Sequence, residues 1–89
     1  MRFDDTIQAK VVDLARSYGA KRLILFGSAL DRSHDARDID LACDGIEGWA
    51  IYGFAARLED ELRTTVDVVP LTPETRLTRH IEKVGQRLM

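Results

Sequence analysis

Two short motifs carry residue types whose spacing suggests chemistry. Gly27-Ser28 closes one apolar run, and Asp38-Ile39-Asp40 opens the next. Side chains alternate along a strand, so Asp38 and Asp40 share one face while Ile39, Leu41 and Cys43 take the other, the core side. The aspartates are therefore not misplaced core residues. A third carboxylate, Asp67, lies in Thr65-Val66-Asp67-Val68-Val69, again opposite an apolar pair. If the two strands are neighbours, the three carboxylates approach one another. Such a trio is mutually repulsive, which raises its pKa values unless a cation is present. Oxygen donors without His or Cys suggest Mg²⁺ or Mn²⁺.

Gly27 leaves room for a ligand to approach the backbone closely. Ser28 stands at the start of a short helical turn, where free N–H groups favour an anion. A phosphate site beside a metal-binding carboxylate trio is the apparatus of phosphoryl or nucleotidyl transfer. In a two-metal site one cation activates the attacking hydroxyl and the other stabilises the leaving oxygen. Each motif alone has a plainer meaning: an Asp-x-Asp can be a solvated strand edge, and a Gly-Ser pair a turn. Their occurrence on successive strands favours the chemical reading.

The elements that must position these residues follow from periodicity. Ile7, Val11, Leu14, Ala15 and Tyr18 recur at helical spacing, with Asp4, Asp5 or Thr6 as cap and Gly19 as stop. Lys21 to Phe26 reads as a buried strand, Ser28 to Asp31 as a short helical turn and Arg32 to Ala36 as a polar loop. A second strand spans Arg37 to Cys43. A helix from Trp49 to Arg63 shows Ile51, Phe54, Ala55, Leu58 and Leu62 on one face. Thr65 to Val69 is a third strand, ended by Pro70. Thr72-Pro73 predicts the start of a last helix with the apolar stripe Leu77, Ile81, Val84 and Leu88. The expected fold is α/β (α+β): a small mixed three-stranded sheet with helices packed on one side.

The 89 residues suit one domain with one modest core. Thirteen Lys and Arg against fifteen Asp and Glu give a formal net charge of -2. This balance argues against direct nucleic-acid binding and against attraction to an anionic membrane. The single cysteine excludes an internal disulfide framework and suits a cytoplasmic setting. The first ten residues lack a signal-peptide apolar core, and no apolar run is long enough to span a bilayer.

Phe26-Gly27-Ser28 followed by Asp38-Ile39-Asp40-Leu41 resembles the signature of the DNA polymerase beta-like nucleotidyltransferase superfamily. In particular, the chain resembles the minimal nucleotidyltransferase (MNT) proteins over nearly its whole length. The resemblance implies that Gly27 and Ser28 hold a nucleoside triphosphate and that Asp38 and Asp40 ligate metal, Mg²⁺ or Mn²⁺. It implies that Asp67 is the third carboxylate and helps to deprotonate the acceptor hydroxyl. Many MNT proteins are antitoxins of HEPN ribonuclease toxins, and some transfer AMP from ATP to a tyrosine of the toxin. The implied activity is transfer of AMP to a protein hydroxyl, with a HEPN-type toxin as partner. Larger superfamily members hold the acceptor on a second domain. A single domain over residues 1–89 leaves that role to a partner or a second copy. The chain departs from the family where Ala29-Leu30-Asp31-Arg32 follows Ser28 and where Arg37 precedes Asp38. Arg32 and Arg37 are candidates for the positive charge that the usual motif supplies. Two alternatives to the enzyme stand: a module of the same fold that neutralises a toxin by binding alone, and part of an assembly acting on a small molecule or RNA.

Other residues have plainer readings. His34 is a solvated loop residue or a phosphate contact. His80 is a surface residue. Cys43 is an inert core thiol, and Trp49 packs or stacks on a base. Asp44 serves a turn. Glu59-Asp60-Glu61 forms a solvated face. Arg76, Arg79, Lys83 and Arg87 form a basic stripe that is either solvated or a surface for an acidic partner.

Overall fold

The computed structural model describes residues 2–33 and 35–89. Helix α1 spans Asp5–Ser17 and starts where the Asp4 side chain accepts the Ile7 N–H at 2.9 Å. Its Val11, Val12 and Ala15 are buried. Strand β1 (Arg22–Phe26) runs into a 3₁₀ turn over Gly27–Leu30. Strand β2 follows at Asp38–Asp44, helix α2 at Ala50–Leu62 and strand β3 at Thr65–Pro70. Helix α3 (Arg76–Val84) and the two-residue strand β4 (Gln86–Arg87) complete the fold.

The sheet order is β3-β2-β1-β4. β1 pairs antiparallel with β2 and with β4, whereas β2 and β3 are parallel. A parallel pair needs a crossover between its strands. Helix α2 supplies it, burying Phe54, Leu58 and Leu62. The main core joins Leu23, Leu25, Ile39, Leu41, Cys43 and Val66 of the sheet to residues of α1 and α2.

Three expectations need correction. The sheet has four strands rather than three. A two-residue strand is too short to show a period. Gly85 ends α3, and the chain then lies along β1, where the Leu88 N–H donates to the Leu23 carbonyl at 2.7 Å. Leu88 consequently belongs to no helical stripe.

Helices also cover both faces of the sheet. The alternate residues Ile24 of β1 and Ala42 of β2 form a second core with Leu71 and with Ile81 of α3. This small apolar patch needs its own cover, and α3 provides it. The expectation of helices on one side thus holds for α1 and α2 only.

Finally, α3 starts at Arg76, capped by Thr75 rather than Thr72. Thr75 and Thr78 bond each other reciprocally: the Thr78 N–H donates to the Thr75 hydroxyl at 3.1 Å and the Thr75 N–H to the Thr78 hydroxyl at 2.7 Å. Thr78 and Ile81 are buried against the sheet, while Leu77 and Val84 stay exposed.

Candidate active site

The register of the sheet brings the predicted carboxylates together. Asp40 pairs with Asp67 across the parallel β2–β3 ladder, and Asp38 lies two residues before Asp40 on the same face. Strands two and three are therefore neighbours, the condition on which the role of Asp67 depends. On the other side Asp40 pairs with Phe26, the last residue of β1. Asp38 and Asp67 are exposed and Asp40 is half-buried. All three project from the sheet face that α3 partly covers.

Gly27 presses against the middle of this cluster. Its φ is +76°, and a Cβ built there would lie 2.3 Å from Asp40 Oδ2. The glycine is needed on two counts: a left-handed backbone and the space that the carboxylate fills. Ser28 follows on the exposed turn, and its carbonyl accepts the Asp31 N–H at 3.2 Å. The sequence marks Gly27 as a close-approach residue. Its direct apposition to Asp40 appears only when β1 and β2 are paired.

The electrostatics single out Asp40. Partial burial, then the charges of Asp67 and Asp38, push the Asp40 carboxyl above its usual range. Among the described residues, no group of three or more His, Cys, Asp or Glu side chains is placed to hold a metal ion. Mg²⁺ does not require such a group, because it usually takes one or two carboxylates and completes its shell with water and phosphate oxygens. An oxygen-only donor set with a destabilised central carboxylate fits such an ion.

The candidate cations divide. The guanidinium of Arg32 donates to Gln8 Oε1 at 2.9 Å and Gln86 Oε1 at 2.8 Å, and lies 4.9 Å from the Phe3 ring centre. It ties the loop after Ser28 to α1 and β4. Arg37 is exposed, and its carbonyl accepts the Thr64 hydroxyl at 2.9 Å. Asp31 accepts from the Ser33 N–H and hydroxyl.

Several other residues stand apart from the site. Asp44 is at the far end of β2, 3.7 Å from the Arg22 guanidinium, and accepts from the Thr72 hydroxyl. Cys43 is buried, and burial, aided by Asp44, pushes its thiol up to about 11. Glu59 is half-buried and accepts the Val66 N–H at 3.0 Å, whereas Asp60 and Glu61 are solvated. His80 is exposed, and His34 lies outside the described residues. Trp49 is 84% exposed, so it has no packing role within the chain. The neighbouring Tyr52 helps to line a cleft of about 400 Å³ with Ile46, Ile51, Val68 and Pro70, on the sheet face opposite the carboxylates.

No family model matches the sequence, and no curated relative matches it. Solved structures do match. The crystal structure of the toxin–antitoxin MntA–HepT is 22% identical, with 97% of this chain and 72% of that chain covered and a TM-score of 0.76. A toxin–antitoxin crystal structure with AMP-PNP is 24% identical over 92% of this chain and 72% of that chain, at a TM-score of 0.78. A tri-AMPylated Shewanella oneidensis HEPN toxin in complex with MNT antitoxin is 23% identical over 94% of this chain and 70% of that chain, at a TM-score of 0.75. At these identities the likeness establishes the fold: four strands in mixed order with three helices, the minimal nucleotidyltransferase (MNT) fold.

Proposed function

We propose that this protein is an MNT-type antitoxin that transfers AMP from ATP to a hydroxyl of a HEPN-type toxin. The observation that supports it most is the pairing of Asp40 with Asp67 across β2–β3, with Asp38 on the same face and Gly27 against Asp40. Structures of this fold include a toxin–antitoxin with AMP-PNP and an AMPylated HEPN toxin in complex with MNT antitoxin.

In this reading the Gly27–Ser28 turn receives the triphosphate. Asp38, Asp40 and Asp67 would hold Mg²⁺, which when bound neutralises the charge of the reacting phosphates. Asp67, at the exposed edge of the trio, takes the proton of the acceptor hydroxyl. The hydroxyl oxygen bonds to the α-phosphorus as the bond from that phosphorus to the bridging oxygen breaks. Pyrophosphate leaves in line with the attack. The half-buried position of Asp40 fixes the trio on the sheet, while exposed Asp38 and Asp67 leave the site open to a protein acceptor.

The test uses ATP labelled at the α-phosphate, Mg²⁺, the protein and a HEPN-type toxin. Label passes to the toxin with the native chain and falls at least a hundredfold with Asp38→Ala/Asp40→Ala. A tight complex that forms without nucleotide and leaves the toxin unlabelled would instead favour neutralisation by binding alone.

A further inference from the structure

We propose that the outward face of α3 is the docking surface for the acceptor polypeptide, and that it selects an acidic segment interspersed with apolar or aromatic residues. The acceptor assignment rests on the transfer reaction proposed above; the preference for an acidic polypeptide does not.

The orientation of α3 carries the argument. Thr78 and Ile81 face the sheet. On one flank Glu82 pairs with Arg22, at the end of β1 next to Asp44. That is the end of β1 and β2 remote from Phe26 and Asp38. Leu77 and Val84 are seven residues apart, about two turns, and so stack on the opposite flank of the helix. Since Glu82 reaches Arg22, which pairs with Asp44, that flank is turned away from the Asp44 end of the sheet. Both side chains are about half exposed, Leu77 at 54% and Val84 at 48%. Exposed apolar side chains on a well-packed helix, on the same sheet face as an open site, suit a partner surface.

Charge sets the kind of partner. The chain is acidic overall, yet from Arg76 to Met89 it carries Arg76, Arg79, Lys83 and Arg87 against Glu82 alone. Glu82 is already paired with Arg22, and Arg79 with Glu74 at 2.8 Å. Among the described residues, Arg76 and Lys83 have no side-chain partner in the chain, and they form a ridge on the side of the helix away from Ile81. An unpaired cationic ridge beside an apolar flank complements acidic groups set among apolar ones. A polyphosphate backbone would satisfy the ridge but leave Leu77 and Val84 uncovered.

Fluorescence anisotropy with a labelled random copolymer of Glu and Tyr, in the absence of nucleotide, tests the proposal. Labelled polyglutamate and a single-stranded RNA of equal charge are the comparisons. The native chain should bind the Glu–Tyr copolymer at least tenfold more tightly than the RNA. Arg76→Glu/Lys83→Gln should weaken copolymer binding at least tenfold. Leu77→Ser/Val84→Ser should weaken the Glu–Tyr copolymer severalfold and leave polyglutamate unchanged. Circular dichroism confirms that each variant is folded, and the two pairs of substitutions test the face independently. Equal affinity in the charge variant, preference for RNA, or no binding by the native chain would each overturn the proposal. Copolymer binding with no AMP transfer would leave the docking face standing and remove the reaction. Transfer to the toxin with an unchanged KM in Arg76→Glu/Lys83→Gln would do the reverse.

Discussion

Gly27 is where conformation and chemistry meet most closely. An alanine there takes on a left-handed backbone, which costs about 1–2 kcal/mol. Its methyl also meets Asp40 Oδ2 at the 2.3 Å position. The carboxylate is the end of a side chain and can swing away, so most of the added damage falls on the site rather than the fold. Gly27→Ala should therefore lower stability by about 1–2 kcal/mol but weaken Mg²⁺–nucleotide binding at least tenfold, as read by thermal melting with and without ligand. Asp40 gives a second prediction. Burial and its carboxylate neighbours raise its folded-state pKa above its ordinary value. The native state thus binds the proton more readily than the unfolded chain, and ionised Asp40 detracts from stability at neutral pH. Asp40→Asn should raise the melting temperature at pH 7 in the absence of metal. The gain should vanish as pH falls below the ordinary carboxylate range, where both states are protonated. No gain at pH 7 would contradict a repulsive cluster.

At the scale of elements, the strands were legible because the alternation in Asp38-Ile39-Asp40-Leu41 and Val66-Asp67-Val68 assigns each face without ambiguity. The carboxylate trio followed once β2 and β3 were joined through α2. The end of the chain was not legible in the same way. The stripe Leu77, Ile81, Val84, Leu88 has helical spacing, yet only Ile81 is buried. The buried turn is set by Thr78 and Ile81, and a polar threonine in that position is invisible to a hydrophobic pattern. Strand β4 is too short for any period, and its signal is Gly85. A Cβ there would lie 2.5 Å from Ile24 Cγ2, 2.7 Å from the Ile81 carbonyl and 2.9 Å from the Leu25 carbonyl. Two of these neighbours are backbone and cannot swing aside. Gly85→Ala should destabilise the protein by about 2–3 kcal/mol, readable as a lower urea midpoint. A change below about 0.5 kcal/mol would show that α3 and β4 do not meet β1 as closely as described.

At the scale of the whole molecule, the sheet separates two surfaces. One face carries the main core under α1 and α2. The other carries the smaller core under α3, and beyond it the open carboxylate end. The helix that covers this smaller core, α3, thus lies on the same sheet face as the three aspartates. Arg32 braces this arrangement by joining the loop after Ser28 to α1 and β4 through Gln8 and Gln86. In the proposed function, Gly27, Ser28 and the three aspartates form one metal–nucleotide site. Calorimetric titration of a non-hydrolysable ATP analogue, in Mg²⁺ and in EDTA, tests it without reference to any acceptor. Such a site binds the analogue in Mg²⁺ and loses at least tenfold in affinity in EDTA and likewise in Asp38→Ala/Asp40→Ala. Equal binding in Mg²⁺ and EDTA, or full binding by the double variant, would contradict it.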